Sequence, residues 1–493
     1  MADASPDSIL RLIGNSEKGL AQIEMSLPAI LKARQAVLEA IEKQDERNVV
    51  LELTLVILDS LLAENEVIYD ISASLNALLR ATDDYTKRYY MQMLNLCFCE
   101  ACQLFVGEKS DKNGLLSRLE NLTRELNQAG CQLIAKHIVD DINAFKEEYT
   151  DKELRNITRH YDDPIKMYEK QRGLTNIDFF AKGASQLMAI RMEVTVVSSF
   201  LLNQVLPIED TPQRANLTPT KQRVDLKMMF NDAILKSFKQ RNAKDVVQQL
   251  LSKGQNNLDD CYCLYDNCRK ITAFLDERNL QIPDGFRSLE LLILLRMEVL
   301  YLRYDIACSI WGYLNAASDM ERSQNLRLIH ITKQAALTHI YGYDETFRKK
   351  SLWTRIQSIK EVGNDNLNNN KVERLLQQLT VNLTEDCSNS NTFAHYRYKQ
   401  EFYIPTRLKA FEKMSHCKEL TDSLKLLDVC KLLEEYTIRL LYCIDEVQKT
   451  TRKKQYDEWM TKFDGLADKI SNNENSSELL NNMRTLIYKL YYS

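Results

Sequence analysis

Slid along itself by 235 residues, this chain meets its own pattern again. Tyr69-Asp70-Ile71 falls on Tyr304-Asp305-Ile306, Ser74 on Ser309, Leu79 on Leu314, Ala81 on Ala316 and Asp84 on Asp319. Without a gap the register runs on to Ala101 on Ala336 and Gly107 on Gly342, with conservative pairs such as Leu94 and Ile329 between them. After small compensating shifts the same offset returns and sets Asn156 on Asn391, His160 on His395 and Tyr161 on Tyr396. A period this long belongs to domain duplication and not to a solenoid of short repeats. The chain therefore divides into a first unit over 1–205, a linker over 206–222, a second unit over 223–440 and a C-terminal helical extension over 441–493. The linker is marked by Pro207, Pro212 and Pro219, three of the eight prolines in the protein, set among polar residues.

The fold class follows from what the chain lacks. Thirteen glycines and eight prolines in 493 residues are too few for the tight turns of a sheet-rich protein. Apolar residues recur every three or four positions, as in Leu116–Leu119–Leu122–Leu126, and no long alternating stretch is present. An all-α protein of long helices with few connections is expected. Smaller breaks are predicted at Gly107–Gly114, Pro283–Gly285, Gly363–Asn370 and Asn472–Ser477.

Net charge is −4, so no global basic field draws the chain to nucleic acid. No basic stretch followed by an apolar run opens the sequence, and the most apolar window, Val49–Leu62, is interrupted by Glu52 and Asp59 and reads as a buried core helix. A cytoplasmic location without membrane contact is expected. The twelve cysteines read as reduced, mostly buried thiols. Only Cys99 and Cys102 have the two-residue gap of a structural zinc ligand pair, and such a site needs two pairs. No metal and no cofactor are expected. Gly-rich phosphate loops, Gly-x-Ser-x-Gly elbows and His-Glu-x-x-His are missing, which removes the usual signals of nucleotide triphosphatases, serine hydrolases and zinc proteases.

One repeated segment could carry chemistry: Leu154-Arg155-Asn156-Ile157-Thr158-Arg159-His160-Tyr161-Asp162-Asp163-Pro164. On a single helix Asn156 and His160 would share a face, with Arg155 and Arg159 on the adjoining stripe. Pro164 cannot lie deep in that helix, so Asp163-Pro164 is predicted to cap and begin a new one, leaving His160 near a helix end. Cleaving RNA without a metal needs a base for the 2′-hydroxyl, an acid for the departing 5′-oxygen and a cation for the charge that builds on phosphorus. Histidine titrates near neutrality, and arginine binds phosphate through two hydrogen bonds without losing its charge.

Arg155-Asn156-Ile157-Thr158-Arg159-His160 resembles the Arg-x(4–6)-His motif of the HEPN superfamily, whose ribonuclease members are compact all-α domains with a polar residue after the Arg. The resemblance implies that two domains pair so that both motif copies face one cleft. Here that means two tandem helical-bundle units forming a pseudo-dimer within one chain. It also implies metal-independent endoribonuclease activity in antiviral defence or a toxin–antitoxin system. Arg155 would then polarise phosphate, Asn156 orient groups and His160 act as acid and base. The second copy, Ser390-Asn391-Thr392-Phe393-Ala394-His395, lacks both arginines, so Asn391 and His395 would be supporting residues.

RNA is the expected partner, with Arg159, Lys166, Lys170 and Tyr161 as contacts near the motif, where Arg172 and Tyr168 also lie. The runs Lys236–Lys244, Arg348–Lys350 and Arg452–Lys454 have acidic residues close by and read first as solvated helix faces. His137, His330, His339 and His416 show no comparable context and read as structural. A different reading is a catalytically inactive helical scaffold or adaptor. It would bind RNA or a protein partner, such as an antitoxin or another subunit of a larger defence complex. The oligomeric state is left open.

Overall fold

The computed structural model describes residues 27–107, 114–127, 129–158, 161–205, 243–279, 284–359, 369–381, 393, 404–407 and 414–440. The linker 206–222 and the extension 441–493 lie outside them. Among the described residues every regular element is an α-helix and no strand occurs. In the first half the helices are α1 (27–42), α2 (Val49–Arg80), α3 (Asp84–Val106), α4 (Leu115–Glu125), α5 (Ala129–Tyr149), α6 (Lys152–Ile157), α7 (Pro164–Arg172) and α8 (Ile177–Val205). The second half contains α9 (Ala243–Leu251), α10 (Gly254–Glu277), α11 (Asp284–Asn315), α12 (Asp319–Tyr341), α13 (Glu345–Arg348), α14 (Leu352–Gln357), α15 (Asn369–Leu379) and α16 (416–440).

Each half is organised on a hairpin of two long helices, and local chemistry sets its ends. The Asn48 side chain accepts from the N–H groups of Val50 and Leu51 to start α2, and Asp83 accepts from Thr86 to start α3. In the second half Ser318 does the same for α12 by accepting from Glu321. Both hairpins end on a glycine with φ of +79°, Gly107 and Gly342. At Gly342 an added Cβ would come within 2.5 Å of the Arg348 backbone nitrogen. Adding 235 to the bounds of α2 and α3 reproduces the bounds of α11 and α12 at all four ends.

The hairpins form the centre of one continuous apolar core that runs through both halves. In the first half α2 packs on α3, α4 and α8, and α5 packs on α3, α4 and α8; in the second, α11 packs on α9, α10 and α12. The expected core window is buried from Leu53 onward, with Leu53, Val56 and Ile57 fully inaccessible, while Val50 in the first turn of α2 is exposed. The halves meet crosswise, α2 against α12 and α3 against α11, with α7 also resting on α10 and α11. Among the described residues one segment, Ile177–Leu202 of α8, is long and apolar enough to cross a membrane. Its inner face packs on α2 and α5, while Met192, Val196 and Phe200 form an exposed stripe at intervals of four residues.

Candidate functional site at the seam between the halves

The first motif is carried by a short helix pinned onto α3. Asn95 of α3 holds the backbone of Asp151 at both ends, donating to its carbonyl at 2.9 Å and accepting from its N–H at 2.8 Å. Asp151 in turn caps α6 by accepting from the Leu154 N–H. That placement sets Arg155 over α3. Its Nε and Nη2 donate to Glu100 Oε1 at 2.9 and 2.5 Å, and Nη2 also reaches Gln103 at 2.9 Å. The Glu100 side chain is 3% exposed and that of Arg155 26%, so the pair sits at the edge of the core. Asn156, next along, is exposed.

The helix stops earlier than expected. Thr158 adopts an extended conformation and its hydroxyl bonds the Leu154 carbonyl, ending α6 at Ile157. The single helix expected to run on past Asn156 is therefore cut short at Ile157. Arg159, His160, Asn391 and His395 lie outside the described residues. Asp163 and Pro164 do cap and begin α7, with Asp163 accepting from the Lys166 N–H.

The remaining candidates near the motif are held by the protein itself. Tyr161 is 1% exposed, and its hydroxyl donates to Asp305 of the second half at 2.9 Å. Its ring lies inside the seam, away from any surface on which a base could stack. Lys166 pairs with Glu153 at 3.0 Å; Lys170 pairs with Glu153 at 2.5 Å and with Asp151 at 3.5 Å. Both ammonium groups remain partly exposed, so their contacts are the weak kind that a phosphate can displace. Tyr168 is buried and bonds Asp259 of α10 at 2.6 Å.

The second motif has one described residue, Phe393, which is buried and packs edge-on to His330. Phe393 closes a small cavity of about 30 Å³ whose other walls include Glu100, Asp70 and Cys97 of the first half and Arg327 and Gln324 of the second. That volume has room for about one water molecule. Deeper in the seam, Asp70 receives Arg407 at 2.6 Å and also Arg327, while Glu66 receives Arg407 at 3.1 Å and Arg327 at 3.4 Å. The corresponding Asp305 accepts instead from Tyr85 at 2.7 Å and from Tyr161. Burial, aided by Asp305, raises the Tyr85 phenol well above its ordinary range.

Glu100, Asp70 and Asp305 escaped sequence reasoning, although a lone acid inside an apolar helical stretch is a signal that a partner is required. Cys99 and Cys102 are both buried, and burial pushes their thiols up to about 11 and about 12. No group of three His, Cys, Asp or Glu side chains suited to a metal ion occurs among the described residues. Compared with protein-family profiles, with curated proteins and with solved structures, the chain matches none of them.

Proposed function

We propose that the chain is a HEPN-like, metal-independent endoribonuclease built from two related helical units paired about a pseudo-two-fold axis. Its site is Arg155, Asn156 and His160, supported by Asn391 and His395. One observation carries this reading: each motif segment reaches across the seam. Tyr161, the residue after His160, bonds Asp305 of the second half, while Phe393 of the second motif closes the cavity walled by Glu100, the carboxylate that holds Arg155. The coincident hairpin bounds and the crosswise contacts support the pairing. So do two bonds that join positions exactly one repeat apart, Arg80 to the Asn315 carbonyl and Tyr90 to the Asn325 side chain.

In this reading Glu100 takes Nε and Nη2 of Arg155 and fixes the guanidinium, leaving Nη1 for a phosphoryl oxygen. His160 takes the proton from the 2′-hydroxyl, the 2′-oxygen bonds to phosphorus and the bond to the 5′-oxygen breaks. Purified full-length chain incubated with RNA in chelator should cleave it. His160→Ala should slow cleavage by about 10²–10⁴-fold, and Asn156→Ala should also weaken it without loss of fold, since Asn156 is exposed. Cleavage that is equal in the His160→Ala variant would refute the assignment.

A second reading, a silent scaffold or adaptor, is favoured by the α8 stripe. The positions one repeat after Val196 and Phe200 are Lys431 and Glu435, an exposed ion pair, so two of the three stripe positions are charged in the second half, while Met192 is matched by the apolar Leu427. Absence of cleavage together with a stable protein complex lost in Val196→Glu/Phe200→Glu would favour it.

A further inference from the structure

The second long hairpin ends on a turn unlike its counterpart. After Gly342 the chain reads Tyr343-Asp344-Glu345-Thr346-Phe347-Arg348-Lys349-Lys350, and all eight residues are exposed. The first hairpin also ends on a glycine, Gly107, yet the sequence that follows at 108–113 is Glu-Lys-Ser-Asp-Lys-Asn, with no aromatic residue and no run of cations. Closing such a hairpin therefore calls for neither.

The turn is held in one shape. Gly342 enters it at φ of +79°, Asp344 caps α13 by accepting from the Phe347 N–H at 2.9 Å, and the Thr354 hydroxyl of α14 donates to the Arg348 carbonyl at 2.7 Å. The Tyr343 and Phe347 rings lie against each other, with centroids 4.2 Å apart and planes 31° apart, and these residues remain 42% and 47% exposed. With one face of each ring turned to its neighbour, the exposed remainder is the outer face and edge of a small aromatic platform. The guanidinium of Arg348 lies over the Tyr341 ring, 4.4 Å from its centroid. The acids close by in sequence do not neutralise the cations. Asp344 turns Oδ1 to its cap, and among the described residues no carboxylate pairs with Arg348, Lys349 or Lys350. Lys166, Lys170 and Arg155, near the first motif, are all ion-paired.

We propose that this turn is a docking surface for a single-stranded polynucleotide. An unpaired base stacks on the Tyr343–Phe347 platform while Arg348, Lys349 and Lys350 take the adjoining phosphates. The surface uses none of the residues assigned to cleavage and so goes beyond that reading. Every base has a π-face, so the platform accepts any sequence, and stacking with phosphate contacts makes no use of a 2′-hydroxyl. A duplex keeps its bases inside and offers the turn only phosphates. A lipid surface fits less well. Asp344 and Glu345 lie between the two rings in the chain, and sinking the rings into a bilayer would carry both carboxylates with them.

In the test, full-length protein is titrated into a fluorescent 2′-O-methyl strand of mixed sequence, which cannot be cleaved, and into the same sequence as single-stranded DNA and as a duplex. Both single strands should bind. Tyr343→Ser/Phe347→Ser should weaken them by about 10- to 100-fold and leave duplex binding unchanged. Lys349→Gln/Lys350→Gln should flatten the slope of log affinity against log salt by about 1.4, at about 0.7 for each phosphate contact on a single strand. All four residues are exposed, so both variants keep the fold, which circular dichroism and melting check. Wild-type affinity for single strands in the ring variant, or no binding by the wild type, would overturn the proposal. So would sedimentation with phosphatidylserine vesicles that depends on the rings while strand binding does not, which would make the turn a membrane contact. Cleavage is scored separately, so this proposal and the nuclease reading fail on different measurements.

Discussion

Asp70 and Asp305 occupy matching places in the two long hairpins, inside the same Tyr-Asp-Ile triplet, yet the opposite half answers them with different chemistry. Asp70 and its neighbour Glu66 are met by the guanidinium groups of Arg327 and Arg407. Asp305 is met by the hydroxyls of Tyr85 and Tyr161. A buried carboxylate must be satisfied in either case, but an ion cluster stakes its stability on every member being present, whereas hydroxyl donors carry no charge to strand. The same triplet thus presents an acid to the seam in each half, with unlike partners. The tyrosine solution also brings the first motif segment into the seam, because one of its two hydroxyls belongs to the residue after His160.

The strongest way to break this contrast is to remove one cation. Arg407→Met leaves Glu66 and Asp70 with half of their charge partners, and should cost about 3–5 kcal/mol in urea unfolding; a loss below about 1 kcal/mol would show that the cluster does not anchor the seam. Tyr85→Phe and Tyr161→Phe should each cost less, about 1.5–3 kcal/mol, the range for a hydrogen bond to a charged group. A tyrosine variant that destabilised more than the arginine variant would reverse the ranking. The smallest effect is one of slope with pH. Glu419 of α16 meets His330, one turn along α12 from Arg327; burial works to raise its carboxyl, but the hydrogen bond from His330 and the charge of Lys333 outweigh it and hold it at about 2. Because that folded value lies below the ordinary 4.5, its stabilisation is complete above pH 4.5 and is lost as pH falls toward 2. On the tyrosine side the Tyr85 phenol is raised, so its contribution is complete below pH 10 and fades above it as the unfolded chain ionises. Glu419→Gln should flatten the acid limb of unfolding free energy alone, and Tyr85→Phe the alkaline limb alone.

Much of the architecture was legible in the residues, because it depends on local rules. Scarce glycine and proline foretold long helices, Gly107 marked the end of a hairpin, and Asp163-Pro164 marked the start of α7. The candidate site was less legible, because its geometry depends on partners far along the chain. Arg155 looked like a free phosphate ligand until Glu100, 55 residues earlier, was found to hold it. Tyr161 looked like a stacking surface because lysines and arginines flank it, yet a tyrosine satisfies a buried acid equally well. The early end of α6 came from Thr158 turning its hydroxyl back on the helix, a choice that periodicity does not report.

Tyr90 and Asn325 are counterparts one repeat apart, and they bond each other at 3.2 Å. The Tyr90 hydroxyl fits because Gly312 lies beside it, where a Cβ would stand 2.0 Å away; the counterpart of Gly312 in the first half is Ala77. On the proposed pairing, a first half meeting a copy of itself would drive Tyr90 into that alanine methyl, and a second half doing so would set amide against amide with no phenol between. On that pairing, joining the halves in one chain would be more than a tether: the two faces would be left and right hands, each able to clasp the other and neither able to clasp its own likeness.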